Sequence, residues 1–222
     1  MQSGSIRPAA ERQTMRIVFA TGNAGKMREI RDILADVDAE VYSLKDLGLV
    51  SEADETGETF AENAVIKIRE IYDILSARGE MAGTVIMADD SGLCIDAMGG
   101  APGVHSARFM GHDTDYKIKN AAILTQLKDV PEEKRGAAFV CHIAAIDENG
   151  RIYNAEDEMR GRIAWEPAGR EGFGYDPIFY LPEMGCTSGQ LSEEEKNRIS
   201  HRGKVLRIMK EILRKEGIIK LH

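Results

Sequence analysis

The sequence lacks the features that mark membrane, secreted and nucleic-acid-binding proteins. Its apolar runs stay well below the ~20 residues of a membrane-spanning helix, and residues 1–14 have no hydrophobic stretch of the kind found in signal peptides. Basic residues are in the minority, with 29 Lys and Arg against 37 Asp and Glu. The net charge of -8 should repel nucleic acid and anionic membranes, so we expect neither as a partner.

Cysteine is also scarce. The three residues, Cys94, Cys141 and Cys186, are odd in number, widely separated and free of metal-ligand spacing. This pattern favours a cytoplasmic protein with reduced thiols. Because Cys141 lies inside an apolar run, we interpret it as a core residue rather than a ligand or a nucleophile.

The chain has enough apolar content for a substantial core, since 43% of its 222 residues are hydrophobic. No internal repeat, low-complexity tract or linker divides it. Residues 1–14 (MQSGSIRPAAERQT) are polar and are predicted to form an N-terminal extension. Residues 15–222 are predicted to form a single domain.

The domain begins with a strand, a glycine-containing turn and a helix. Residues 16–20 (RIVFA) predict the strand, and residues 21–25 (TGNAG) predict the turn. A helix start offers unpaired N–H groups and the positive end of the helix dipole, so with Lys26 in the first turn it suits a phosphate. A helix start where glycine merely permits the turn is the alternative. The spacing of GNAGK excludes a Walker A motif.

Two adjacent carboxylates are the most unusual feature of the sequence. Residues 84–87 (TVIM) predict a buried strand that ends at Asp89 and Asp90. Neighbouring anions repel and resist desolvation, so the pair needs solvent, hydrogen-bond donors or a cation. A solvated turn at the strand end is the alternative interpretation.

A long helix precedes this strand. Thr59 and Glu62 form a capping box, Gly79 provides a stop, and an apolar stripe recurs every three or four residues at Phe60, Ala64, Ile68, Ile71 and Leu75. Lys67 lies at the edge of this stripe, and by itself it is expected to be a solvated side chain.

The second half of the chain predicts one more helix and a long hairpin. Residues 114–127 have helical spacing at Ile118, Ala121, Ala122 and Leu124. Residues 137–146 and 151–159 flank an Asn-Gly turn, which is typical of a hairpin. Antiparallel strands combined with a strand–helix unit predict a mixed sheet.

Two further segments carry candidate binding residues. Residues 172–179 (GFGYDPIF) combine aromatic rings, glycines and a carboxylate, which suits a purine pocket, although a buried loop plug fits as well. A basic cluster then follows a second capping box at Ser192 and Glu195, and it contains Lys196, Arg198, His201, Arg202 and Lys204. This cluster is either a base- or phosphate-contacting patch or a solvated helix connection.

Together these residues predict a site for a magnesium nucleotide. A phosphate-binding helix start, carboxylates at Glu55, Asp89 and Asp90, an aromatic loop and a basic cluster supply its parts. Mg2+ needs only one or two protein carboxylates, because water and phosphate oxygens complete its octahedron. Glu55 and Asp90 would therefore suffice.

The same segments resemble a known family. Six blocks that occur in order between Met15 and about Leu213 closely resemble the inosine triphosphate pyrophosphatase family. They are TGNAGK, ETGETFAENA, ADDSGL, GGAPGVHSAR, GFGYDPIF and EEKNRISHRGKVL. The resemblance implies an α/β fold in which a long twisted mixed β-sheet with flanking helices forms two lobes around a cleft. It also implies Mg2+-dependent hydrolysis of ITP, dITP and XTP to the monophosphate and pyrophosphate, by a homodimer.

The resemblance further implies roles for individual residues. Glu55 and Asp90 would hold the metal, and Asp90 would also accept the proton from water. The substrate-binding residues would be Thr21, Gly22, Asn23, Ala24, Gly25 and Lys26 for the triphosphate, Ser91 beside the acid pair, Phe173, Gly174, Tyr175 and Asp176 around the base and sugar, and Lys196, His201 and Arg202 at the base. The role of Asp89 stays open.

Two other functions remain as competing hypotheses. A nucleotidyl- or phosphotransferase would need a site for a second substrate, and no segment provides one. A non-catalytic nucleotide-binding regulator would keep the basic cluster but would not require Glu55 and Asp90.

Overall fold

One seven-stranded sheet organises the chain, with the strand order β2-β1-β3-β4-β5-β6-β7. The computed structural model describes residues 14–111 and 113–222, so residues 1–13 of the predicted extension lie outside the described residues. The strands are β1 (Arg16–Phe19), β2 (Glu40–Ser43), β3 (Thr84–Ile95), β4 (Gly136–Ile146), β5 (Ile152–Ile163), β6 (Phe179–Leu181) and β7 (Cys186–Thr187).

The sheet is mixed, as predicted. Strand β1 runs parallel to both β2 and β3, whereas β3, β4, β5, β6 and β7 are joined by antiparallel pairing. The predicted hairpin is β4 and β5, and its turn contains Asn149 and Gly150. Pairing between β1 and β3 stops at Phe19 and Met87, but β3 continues to Ile95. Beyond Met87, β3 is no longer paired with β1, and the cavity described below lies beside this point.

Helices cover both faces of the sheet. They are α1 (Ala24–Ile33), α2 (Phe60–Ala77), α3 (Tyr116–Gln126), α4 (Glu193–Ile199) and α5 (His201–Lys215). Helices α1 and α5 pack on one face, and α2 packs on the other, where all five residues of its predicted stripe are buried. A third apolar cluster joins α3 to the far end of the sheet and forms the second lobe. Within the described residues no helix is long and apolar enough to cross a membrane.

Helix α3 is present as predicted, but its predicted apolar positions are only partly right: Leu124 packs on the third cluster, whereas Ile118 does not. Ile118 is 55% exposed, whereas Lys119, Asn120 and Ile123 are buried. The inward face meets loop backbone as well as apolar side chains: Lys119 donates to the carbonyl of Ala107, and Asn120 donates to that of Gly174. This face of α3 is partly polar, since its side chains bind carbonyl groups. Apolar periodicity alone therefore does not identify it.

Two isoleucines of α3 provide a matched test of this orientation. Replacing buried Ile123 with Ala should lower the free energy of unfolding by about 2–5 kcal/mol, because it leaves a cavity. Ile118→Ala should change it by less than ~0.5 kcal/mol, because the side chain is already in solvent. Denaturant unfolding of both variants measures the difference, and equal effects would contradict the observed orientation.

Candidate active site

The acid pair lies within strand β3, not at its end as predicted. Strand β3 continues to Ile95, and Asp89 and Asp90 pair with Ile143 and His142 of β4. Side chains alternate along a strand, so Asp89 follows Val85 and Met87 towards α1 and α5, whereas Asp90 follows Ile86 and Ala88 towards α2. The two carboxylates therefore occupy opposite faces of the sheet and belong to different environments.

Asp89 is a buried carboxylate with two cationic partners. The ammonium group of Lys26 lies 3.0 and 2.9 Å from its two oxygens, and Nε of Arg202 donates to Oδ2 at 3.1 Å. Burial by itself would raise the pKa of Asp89, but Lys26 and Arg202 outweigh it and hold the pKa far below its usual value. The Asp89 side chain is therefore a permanent anion that joins α1 to α5.

Arg202 extends this network to a residue that the sequence analysis missed. Its Nη1 donates to Glu29 of α1 at 3.2 Å, and the hydroxyl of Ser200 donates to the same carboxylate at 2.7 Å. Glu29 is buried and lies one helical turn after Lys26. That spacing on an amphipathic helix is the only sequence signal that could have identified it.

Asp90 is less completely neutralised than Asp89. Asn63 donates to Oδ2 at 3.1 Å, and the ammonium group of Lys67 lies 3.4 Å from Oδ1. Desolvation raises the pKa of Asp90, and the nearby Glu55 raises it further, whereas Lys67 and Asn63 only partly offset these effects. Asp90 thus has the stronger tendency of the two acids to accept a proton.

Lys67 is not the solvated side chain that the sequence suggested. Its Nζ lies 2.8 Å from Oε1 of Glu55 and donates to the backbone carbonyl of Asp89 at 3.1 Å, in addition to its contact with Asp90. Asn63, Lys67 and Glu70 recur at helical spacing on α2. This polar stripe beside the apolar one was the signal that could have identified Asn63 and Lys67.

Glu55 and Asp90 are thus brought together through one shared cation. The described residues contain no group of three or more His, Cys, Asp and Glu side chains that could hold a metal. Two converging carboxylates fit Mg2+, which completes its shell with water and phosphate, better than a structural zinc ion, which takes four protein ligands.

The predicted phosphate-binding turn borders the same cleft. Asn23 caps α1, and its Oδ1 accepts hydrogen bonds from the N–H groups of Gly25 and Lys26. A cavity of about 770 Å3 lies beside this turn and is lined by Thr21, Gly22, Lys26, Glu55, Lys67 and Asp89, among others. This volume is within the usual range for small-molecule sites.

The aromatic loop lies in the second lobe. Phe173 is 64% exposed, whereas Tyr175 and Asp176 are buried. Asp176 accepts hydrogen bonds from the Phe173 N–H at 2.8 Å and from the Ser188 hydroxyl at 3.0 Å, and it forms an ion pair with Lys196. These contacts fix Asp176 in place. The Phe173 ring is largely exposed and has the Lys196 ammonium group 4.7 Å from its centre.

The basic cluster is not a solvated connection, since two of its members are buried. His201 and Arg202 begin helix α5, and the His201 ring stacks on Phe139. Burial, with help from Arg202, lowers the pKa of His201 to about 3, so the ring is neutral at physiological pH. Its buried Nδ1 has no hydrogen-bond partner among the described residues. The side chain of Arg198 lies outside the described part of the structure.

Fold and site together define a class of protein: mixed α/β proteins with helices on both faces of one sheet and a nucleotide-sized cavity lined by both cations and carboxylates. Comparison with known proteins gives the family. The sequence model of the Ham1 family matches residues 17–212, and the chain belongs to this family.

Individual relatives agree with this assignment. A dITP/XTP pyrophosphatase of Yersinia pseudotuberculosis is 45% identical over 203 residues, which cover 90% of this chain and 98% of the relative. The solved Ham1 protein of Staphylococcus aureus is 34% identical with a TM-score of 0.80, and that of Coxiella burnetii is 36% identical with a TM-score of 0.79. Both alignments cover 90% of this chain and 99% of the solved chain. The predicted fold and the family resemblance are confirmed.

The neutral state of His201 makes stability depend on pH. The pKa of its imidazole is 6.5 in the unfolded chain but about 3 in the folded protein. Its contribution to stability is therefore complete above pH 6.5 and is lost as the pH falls towards 3. His201→Gln should remove this pH dependence of the free energy of unfolding, which amounts to at most about 1.4 kcal/mol per pH unit.

Urea unfolding near neutral pH and at mildly acidic pH measures this effect. His222→Gln, at the exposed C-terminal residue, is the matched control and should keep the wild-type profile. A His201→Gln profile that coincides with that of the wild type would contradict the assignment of a neutral buried ring.

Proposed function

We propose that this protein hydrolyses the non-standard purine nucleoside triphosphates ITP, dITP and XTP to the nucleoside monophosphate and pyrophosphate. The observation that carries this proposal is the convergence of Glu55 and Asp90 on Lys67, beside the start of α1. The relatives named dITP/XTP pyrophosphatase support the choice of substrate. Such an activity would keep non-standard purines out of DNA and RNA.

Glu55 and Asp90 are the proposed ligands of Mg2+. When bound, the ion would neutralise phosphate charge and polarise the phosphorus–oxygen bond that breaks. Asn63 orients Asp90, since its side-chain N–H donates to one carboxylate oxygen, and Lys67 holds the other oxygen near Glu55. The pair is therefore preorganised before substrate arrives.

Asp90 is also the proposed proton acceptor. The raised pKa of this carboxyl brings it closer to the working pH than an ordinary aspartate, which favours general-base catalysis. Asp90 would take a proton from water as the water oxygen attacks phosphorus, in line with the oxygen that bridges the α- and β-phosphates. Pyrophosphate then leaves. Ser91, next along β3, would contact the substrate.

The triphosphate would lie along the turn from Thr21 to Lys26. Thr21, Gly22 and Lys26 line the cavity, while Asn23 holds the first turn of α1 in shape. An ammonium group has three N–H donors. Lys26 uses two contacts on Asp89, so it retains donor capacity for a phosphate oxygen.

The base would lie against the second lobe. Phe173 offers an exposed ring for stacking, Gly174, Tyr175 and Asp176 form the wall, and Lys196, His201 and Arg202 would read the purine edge. Hypoxanthine and xanthine carry an acceptor at O6, where adenine has an amino group. Protein donors that face this position of the base therefore favour ITP and XTP. Against adenine these donors would have no acceptor, and an unpaired buried donor is costly.

The remaining assignments belong to the same proposal. Residues 15–222 would act as one catalytic domain after the 1–14 extension, in a cytoplasmic homodimer without a nucleic-acid partner. The acidic composition supports the last point, since the formal net charge is -8.

A product-resolved assay tests the proposed reaction. Protein with Mg2+ should release pyrophosphate from ITP or XTP much faster than from ATP or GTP. Asp90→Asn should lower kcat by at least about 100-fold while nucleotide binding is largely retained, because the amide cannot accept the proton. Release of orthophosphate as the first product, or equal rates on ATP, would overturn the proposal.

Asp36→Asn is a suitable control for the loss of one carboxylate. Asp36 lies after α1 and pairs with Lys210 of α5, away from the cleft residues. Its replacement should leave kcat close to the wild-type value.

A further inference from the structure

The segment from Gly103 to Ser106 is seated tightly against strand β3. The Leu93 N–H donates to the Ser106 hydroxyl oxygen at 2.9 Å, and that hydroxyl donates to the carbonyl of Gly103. A Cβ atom placed on Gly92 would lie 2.3 Å from the Gly103 oxygen, so only glycine at position 92 permits the approach. The segment therefore has a fixed position in the second lobe.

Residues on the proposed purine side of the cleft also bind the backbone of Ser106 and of Ala107, the next residue. The Tyr175 hydroxyl donates to the Ser106 carbonyl at 2.7 Å, and the Lys119 ammonium group donates to the Ala107 carbonyl at 2.6 Å. Lys119 is 1% exposed, and it also lies 4.7 Å from the centre of the Tyr116 ring. A buried ammonium ion that depends on a carbonyl and a ring strongly resists separation from them.

Arg108 connects these residues to the proposed metal side of the cleft through a hydrogen bond. Arg108, which directly follows the anchored residues, donates through Nη2 to the backbone carbonyl of Glu55 at 3.2 Å. Its Nε donates to Nδ1 of His105 at 3.1 Å, which fixes the direction of the guanidinium group. The Glu55 side chain stays free of Arg108 and reaches Lys67.

The loop that carries Glu55 has few other anchors near this residue. Glu70 of α2 binds Ser51 and Glu52, and Asn63 accepts a hydrogen bond from the Gly57 N–H. Glu55 lies between these two attachment points. Arg108 therefore supplies a backbone contact to Glu55 itself, and it does so from the opposite lobe.

We propose that Arg108 is a positioning residue that holds Glu55 in place for the metal from across the cleft. The inference rests on the proposed role of Glu55 as a metal ligand. A ligand held at its backbone loses less conformational entropy when the metal binds, so loss of Arg108 should weaken metal binding. Electrostatics alone predicts the opposite result, because removal of a nearby positive charge favours a cation.

Binding of Mn2+ to the full-length protein without nucleotide provides the test. Arg108→Gln should raise the Mn2+ dissociation constant, measured by electron paramagnetic resonance, by about 3- to 10-fold, the range expected for one hydrogen bond. Arg108→Lys keeps a donor and should raise it less. Arg160→Gln removes the same charge from β5, where Arg160 contacts Glu158 and Asp96, and should leave Mn2+ binding unchanged. Unchanged or tighter binding in Arg108→Gln overturns the inference.

Glu55→Gln separates this inference from the proposed function. If it leaves Mn2+ binding unchanged, the metal assignment fails and the role of Arg108 fails with it. If Glu55→Gln abolishes binding but Arg108→Gln does not weaken it, only the role of Arg108 is overturned.

A double-mutant cycle tests whether the hydrogen bond from Tyr175 to the Ser106 carbonyl acts through Arg108. Tyr175→Phe should weaken Mn2+ binding in the wild type but not in Arg108→Gln. Additive effects of the two substitutions would contradict this link.

Discussion

Two adjacent carboxylates on one buried strand are the constraint on which the site depends. Because β3 directs Asp89 and Asp90 to opposite faces, no cation among the described residues forms an ion pair with both side chains, and each face supplies its own close partners. On one face, α1 and α5 supply Lys26 and Arg202 to Asp89. On the other face, α2 supplies Asn63 and Lys67 to Asp90. The three helices are thereby fixed relative to β3, and the cleft forms where β1 ends.

The two acids differ because their partners differ. Asp89 has two close cations, and the pKa of its carboxyl is strongly lowered, so it serves as a fixed anion in the ion-pair network with Glu29. Asp90 shares a single ammonium group with Glu55, and the pKa of its carboxyl is raised. Neighbouring carboxyl groups whose pKa values move in opposite directions suit different tasks. The geometry fits a structural role for Asp89 and the proposed role in proton transfer for Asp90.

The sequence predicted elements that have strong local signals. The capping boxes of α2 and α4, the β4–β5 hairpin and the mixed sheet follow from residue spacing, and all are present. The orientation of α3 could not be predicted in this way, because it depends on contacts with distant loops. The polar stripe of α2 marks Lys67 but does not reveal its partners, which come from β3 and from the loop that carries Glu55. The length of β3 was underestimated for a related reason: burial of Asp89 and Asp90 requires cations from α1, α2 and α5, which local sequence does not reveal.

If Arg202 contacts the base as proposed, its ion pairs would favour selectivity. A guanidinium group held by Asp89 and Glu29 cannot turn away to accommodate a different base, because that movement would leave two buried carboxylates with one cation fewer. The neutral His201 ring beside it adds no further charge to this buried region. In the proposed function, a rigid guanidinium group would penalise a base that presents a donor where an acceptor is required. The network that stabilises α5 on the sheet is therefore the same network that would discriminate between purines.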